Sequence, residues 1–220
     1  MQASPTNERI AAGDFATWLI EIRASLRGDS GTHVPCGDCV GCCVSSYFIP
    51  IRPQDALARS RIPKDLLVSA PGQASGHQMM GYRADGTCPM LVAGQCTIYE
   101  ARPQTCRDYD CRIFAAAGIA AGDADKAVIN QRVAKWQFSY ASDGDRATHS
   151  AIRQAATFIR QNAEHFPGGR APTAPTGIAV LAIKAYAVFQ RHDIESLSAA
   201  ETAFAMVDAS RRFDRSLTNS

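Results

Sequence analysis

The residues best suited to chemistry are cysteines. The chain contains eight of them, and all fall between Cys36 and Cys111. The first block reads Cys36-Gly-Asp-Cys39-Val-Gly-Cys42-Cys43. A Cys-x2-Cys turn lets two sulfurs converge on one ion, and Gly37 and Gly41 permit the tight backbone that turns amides toward sulfur. Cys42 adds a third sulfur at the same spacing, which is the ligand run of ferredoxin-type four-iron clusters. Adjacent side chains diverge as a rule, so Cys42 and Cys43 are not expected to bind the same ion; one would serve a second site or stay a free thiol. The second block supplies Cys88, Cys96, Cys106 and Cys111. Eight sulfurs would complete two four-ligand sites, or one with cysteines to spare, and spacing does not assign the partners. The bland alternative treats free cysteines as small buried hydrophobes. It suits a single member such as Cys43 or Cys96 better than a cluster this dense.

Four thiolates around divalent zinc, or around an oxidised four-iron cluster, leave a net charge of about −2. Arg102, Arg107 and Arg112 flank the late cysteines and could offset it, although pairing with Glu100, Asp108 and Asp110 or plain solvation explains them as well. His33 and His77 lie near the two blocks but are ordinary histidines on the simpler reading, because the thiol supply is already sufficient. Tyr47, Tyr82, Tyr99 and Tyr109 are expected to pack. Were the site catalytic, Asp108, Tyr109 and Asp110 would be the nearest polar groups in sequence; no catalytic residue is assigned.

Composition sets the compartment and the partners. With 46% apolar and 20% charged residues over 220 positions, the chain has the makings of an ordinary globular protein with a substantial core. A net charge of +2 and a pI near 8.1 fall short of the basic excess that electrostatic nucleic-acid binding needs. The stretch 1–12 contains Glu8 and Arg9 and lacks the apolar run of a secretory signal. The longest apolar stretch, Ile178 to Phe189, carries Lys184 and is too short for a membrane span. A cytoplasmic location without nucleic-acid or membrane partners is therefore expected. Cytosolic thiols are kept reduced, so the pattern reads as metal-binding and not as a disulfide framework.

The elements that must position these sulfurs fall into three expected regions, 1–30, 31–114 and 115–220. Phe15, Trp18, Ile22 and Leu26 line one face of an N-terminal helix, with Asp14 as N-cap and Gly28 as stop. From Gly31 to Arg112 periodicity fails and Gly, Pro and Cys become frequent, as in domains where ligand bonds hold loops. Short strands are expected at Ser46 to Ile51, an edge strand because of Pro50, and at Gln78 to Arg83. Gln54 to Arg61 reads as a helix. A hairpin is expected to turn at Ala93-Gly94, and Arg102-Pro103 to open a short helix. After Ala115 the chain becomes Ala-rich and helical. Ile129, Val133, Trp136 and Tyr140 form one stripe, and Ile152, Ala156, Ile159, Ala163 and Phe166 another. The segment from Pro167 to Gly177 breaks the pattern. Two further helices follow around Leu181, Ala185 and Val188, and around Leu197, Ala200, Phe204 and Val207. The last six residues are expected to fray.

Several motifs, in order, resemble a known family: the bacterial CxxCxxCC cysteine-cluster proteins, also called YkgJ-like and described as zinc- or iron-chelating. They are Cys36-x2-Cys39-x2-Cys42-Cys43; Cys88-Pro89-Met90-Leu91 with Gly94 and Cys96; and Thr97-Ile98-Tyr99-Glu100-x-Arg102-Pro103-x2-Cys106-Arg107 with Cys111. The resemblance runs from Cys36 to Arg112. It implies metal binding but no shared reaction; some relatives are described as iron-sulfur oxidoreductases, and one branch resembles flagellin lysine methylases. No glycine-rich nucleotide loop accompanies the motifs.

The expected fold is mainly α, with a small irregular α+β cysteine-rich core between helical N- and C-terminal regions. Three functions stand side by side. The first is an iron-sulfur protein, a 4Fe-4S cluster favoured, with a redox role. The second is a structural zinc module that engages a protein partner. The third is a metal-dependent enzyme acting on a protein or peptide.

Overall fold

The computed structural model describes residues 8–28 and 31–215, so the expected fraying of the last six residues falls almost wholly outside the described residues. In chain order the elements begin with β1 (Ile10–Asp14), α1 (Phe15–Arg27), β2 (Ile49–Ile51), α2 (Ala56–Arg61), β3 (Leu67–Ser69) and β4 (Gln78–Met80). The hairpin strands β5 (Leu91–Val92) and β6 (Gln95–Cys96) come next, followed by the short helices α3 (Gln104–Asp108) and α4 (Arg112–Ala117). Then come α5 (Ala127–Lys135), β7 (Trp136–Ser139), α6 (Asp143–Gln161), α7 (Pro175–Ala185) and α8 (Ala199–Arg215). The fold is mainly helical with small sheets. No helix among the described residues is long and apolar enough to cross a membrane.

The chain forms two compact units. The first combines 8–28, 111–122 and 133–215; the second combines 31–110 and 123–132.

In the first unit, Asp14 caps α1 by accepting from the Thr17 amide at 2.9 Å, and Gly28 ends the helix at φ 85°. A left-handed backbone of this kind favours glycine. The buried face of α1 carries Phe15, Trp18, Leu19 and Ile22, as the spacing predicts. The long helix α6 opens on a capping box in which Ser142 and Asp145 satisfy each other's amides. Its stripe of Ile152, Ala155, Ala156 and Ile159 is fully buried and packs, with α4, against α7. One expectation changes here. The stripe Ile129, Val133, Trp136 and Tyr140 is not one helix: α5 ends at Lys135, and Trp136–Ser139 is a strand whose residues alternate buried and exposed. It pairs in parallel with β1, Ile10 opposite Trp136 and Asp14 opposite Ser139. Burying Trp136 and Phe138 on one side of a strand satisfies both aromatics, which a helix would have turned to different faces.

The second unit has a three-stranded antiparallel sheet ordered β2-β4-β3. Pro50 sits in β2, an edge strand where its missing N–H costs no ladder bond. The β5–β6 hairpin turns through Ala93 and Gly94, both at positive φ. Pro103 precedes α3, and Asp55 accepts from the Gln104 amide at 2.8 Å. The apolar core here is thin: Ile51, Ala58, Ile62, Met80, Met90, Ile98 and Ala101, with Cys88 and Cys96 packed against it.

Candidate metal centre

Seven of the eight cysteines belong to the second unit, and none is in a disulfide. Cys39 to Val44 wind tightly: the Cys39 amide donates to the Cys36 carbonyl at 3.0 Å, the Gly41 amide points at the Cys39 sulfur at 3.5 Å, and Gly41–Val44 make a 3-10 turn. Within that turn Cys43 lies close enough to Cys42 to disfavour its thiolate. The second block is tied on by backbone. The Cys88 amide donates to the Cys43 carbonyl at 2.6 Å, and the Ser46 amide to the Gly86 carbonyl at 3.0 Å. Gly86 is required there: its φ is +83°, and a Cβ would lie 2.5 Å from the Ser46 hydroxyl.

The thiols feel one another. Burial, then Cys42 and Cys39, pushes Cys36 up to about 11. The neighbouring Cys43 thiol, followed by burial, raises Cys42 strongly; the residue exposes surface, but its sulfur is crowded. Burial raises Cys88 as well. Cys106 is pushed up to about 12 by burial, then by Cys42, Cys88 and Cys96. All seven cysteines of the second unit, Cys36, Cys39, Cys42, Cys43, Cys88, Cys96 and Cys106, thus lie within electrostatic range of at least one other. Cys42 belongs to both neighbourhoods.

Among the described residues no group of three or more Cys, His, Asp or Glu side chains is placed to hold a metal ion. The chemistry of the donors nevertheless fits a thiolate-seeking metal. Several half-buried thiols held together resist losing their protons singly, and a cation bound among them reverses that preference by drawing the thiolates to itself.

Charge comes partly from unexpected places. Arg102 favours the Cys106 thiolate, as its position suggests. Arg107 donates instead to the carbonyls of Arg102 and Glu100, and Arg112, in the first unit, is buried and donates to the Ala12 carbonyl at 3.0 Å. Arg132, unremarked by spacing, donates to the carbonyls of Pro35 and Cys36 at 3.0 and 2.9 Å and favours the Cys36 thiolate. Lys126 donates to the Ser45 carbonyl and stands 4.3 Å from the Tyr47 ring centroid. Asp110 is buried and opposes ionisation of Cys36.

The remaining candidates have other engagements. Asp108 accepts from Gln104 at 2.7 Å and faces Arg52 at 3.4 Å. Tyr109 and Tyr47 join hydroxyls at 3.3 Å. His77 is hydrogen-bonded to the Ala74 carbonyl, and His33 is exposed. Cys111 is buried in the first unit, where its sulfur accepts from the Trp136 indole at 3.2 Å.

Residues 35–133 match the model of the CxxCxxCC family, described as a "putative zinc- or iron-chelating domain". The match covers a little under half of the chain. It extends past the last cysteine to take in Lys126 and Arg132, the segment that folds back into the second unit. No curated protein and no solved structure matches the chain.

Proposed function

We infer that the second unit, whose residues match the CxxCxxCC domain model, holds iron, as an iron-sulfur cluster, through ligands drawn from Cys36, Cys39, Cys42, Cys43, Cys88, Cys96 and Cys106, with Cys111 the eighth candidate. The observation that carries this reading is the backbone link from the Cys88 amide to the Cys43 carbonyl at 2.6 Å, which ties the Cys36–Cys43 turn to the second cysteine block. Such a cluster supplies one-electron redox chemistry when bound. The chain's own residues tune the setting. Arg102 and Arg132 offset the negative charge of gathered thiolates, and the buried carboxyl of Asp110 opposes it. Half-burial of most of the thiols limits access of oxidants. A reducing cytoplasm belongs to the same proposal, because it keeps the thiols available.

A second reading is structural zinc, and the thin apolar core of the second unit favours it. In that reading the exposed Phe48 and Tyr82, whose rings stand 4.9 Å apart, offer a surface to a partner protein.

Metal analysis and a visible spectrum of anaerobically purified protein separate the two. Iron with inorganic sulfide and a brown colour supports the first reading. Colourless protein carrying zinc supports the second, and protein with neither metal contradicts both. Cys42→Ser and Cys106→Ser are expected to lower metal content in either case, and Cys111→Ser reports whether the sulfur held by Trp136 is needed.

A further inference from the structure

The first unit carries a cleft that the metal reading does not use. It encloses about 370 Å³ and is lined by α6 on one side and β7 on the other. Arg146, His149, Ser150 and Arg153 occupy positions i, i+3, i+4 and i+7 of α6, so one helix face brings two guanidiniums and an imidazole to the same opening. Trp136, Phe138 and Tyr140 supply an aromatic wall.

The polar centre is a pair, Tyr140 Oη and His149 Nδ1, 2.6 Å apart. His149 is 9% exposed and stacks on Phe15 at 4.8 Å. Its Nε2 is sealed from solvent and makes no hydrogen bond. Burial, then the charge of Arg153, pushes the imidazole down to about 4, so the ring is neutral at pH 7. A neutral imidazole has one donating and one accepting nitrogen. The carbonyls of Ala115 and Ala116, which can only accept, favour a proton on the ring. The short hydrogen bond to His149 fixes the Tyr140 hydroxyl at the edge of the cleft.

The arginines are poorly neutralised. Arg146 lies 4.5 Å from the Tyr140 ring centroid, and its one ion pair, to a fully exposed Asp143, spans 3.9 Å. Arg153 is exposed and close enough to His149 to disfavour a second positive charge there. Two guanidiniums over an aromatic wall match a flat molecule bearing an oxyanion, since planar N–H forks pair with carboxylate or phosphate oxygens.

We propose that this cleft binds a small oxyanion-bearing molecule, with Arg146 and Arg153 holding the carboxylate or phosphate beside the Tyr140 hydroxyl, which His149 holds in place. The site is independent of the metal centre, and its test needs no metal. Trp136 lines the cleft and reports on it by fluorescence. Benzoate and, separately, inorganic phosphate are titrated into the full chain at pH 7, and into R146A/R153A, whose substituted side chains are exposed and whose thermal unfolding is measured as a control. Saturable quenching by either probe, weakened at least about ten-fold in the double variant with unfolding unchanged, is expected; which probe binds identifies the oxyanion. A Y140F variant that stays folded and weakens the same probe assigns the phenol oxygen its part. No saturable response to either probe, or a response equal in R146A/R153A, overturns the proposal and leaves Tyr140–His149 as a packing contact.

Discussion

Stripping the metal from the second unit is expected to abolish slow amide exchange in β2, β3 and β4. The fully buried core there includes five large side chains, Ile51, Ile62, Met80, Met90 and Ile98, with Ile49, Leu66 and Leu67 half-buried against it. At about 1.5–3 kcal/mol for each of the five, their burial contributes roughly 8–15 kcal/mol. Structural metal held by thiolates contributes about 10–16 kcal/mol in small domains, as much as this fully buried core. The strands are three residues each, too short to persist on ladder bonds alone. The assay is hydrogen exchange with mass spectrometry on reduced, oxygen-free protein, before and after a chelator. Losing even about 4 kcal/mol speeds exchange in the strands roughly a thousand-fold, since each 1.4 kcal/mol is ten-fold. In the first unit, α6 and α7 bury Ile152, Ile159 and Ile183 completely and should keep their protection. Unchanged exchange in all three strands of metal-free protein would refute the argument that ligand bonds replace core in this unit.

Other outcomes follow from the same contacts. Phe114→Ala, at a residue with no exposed surface, should cost about 3–5 kcal/mol in denaturant unfolding, and Asp14→Ala, which removes the cap on Thr17, about 1 kcal/mol. Gly86→Ala should lower metal uptake as well as stability, because its Cβ meets the Ser46 hydroxyl beside the Cys43–Cys88 backbone link; metal content normal in a stable variant would count against that link's role. Acid should destabilise the first unit through His149. The ring's value in the fold, about 4, is below its ordinary 6.5, so the fold prefers it neutral. That contribution is full above about pH 6.5, is lost as pH falls toward 4, and amounts to roughly 1–3 kcal/mol once solvent at the cleft mouth is allowed for. Tyr140, Arg146 and Arg153 surround the ring, and none offers it a negative charge. Circular dichroism melts of His149→Gln should show a flatter acid limb, and an unchanged limb would remove His149 as the cause.

Local signals were readable without the structure, and non-local ones were not. Asp14, the Phe15–Trp18–Ile22 stripe and Gly28 define α1 because caps and periodicity act within a few residues. Pro50 placed its strand at an edge, and Ala93-Gly94 placed the hairpin turn, for the same reason. The strand β7 escaped because Trp136 and Tyr140 fit helical spacing as well as an alternating pattern, and its partner β1 is more than a hundred residues away. At the metal centre the sulfurs were legible as a dense motif. Arg132 was not: nothing near it in sequence points to Cys36, and only the return of 123–132 to the second unit brings it there.

X-ray absorption at the metal edge of anaerobically purified protein tests the central claim most directly. Thiolate ligation predicts a first shell dominated by sulfur near 2.3 Å, with iron–iron scattering in addition where a cluster is present. A first shell of nitrogen and oxygen near 2.0–2.1 Å, without sulfur, would contradict the account.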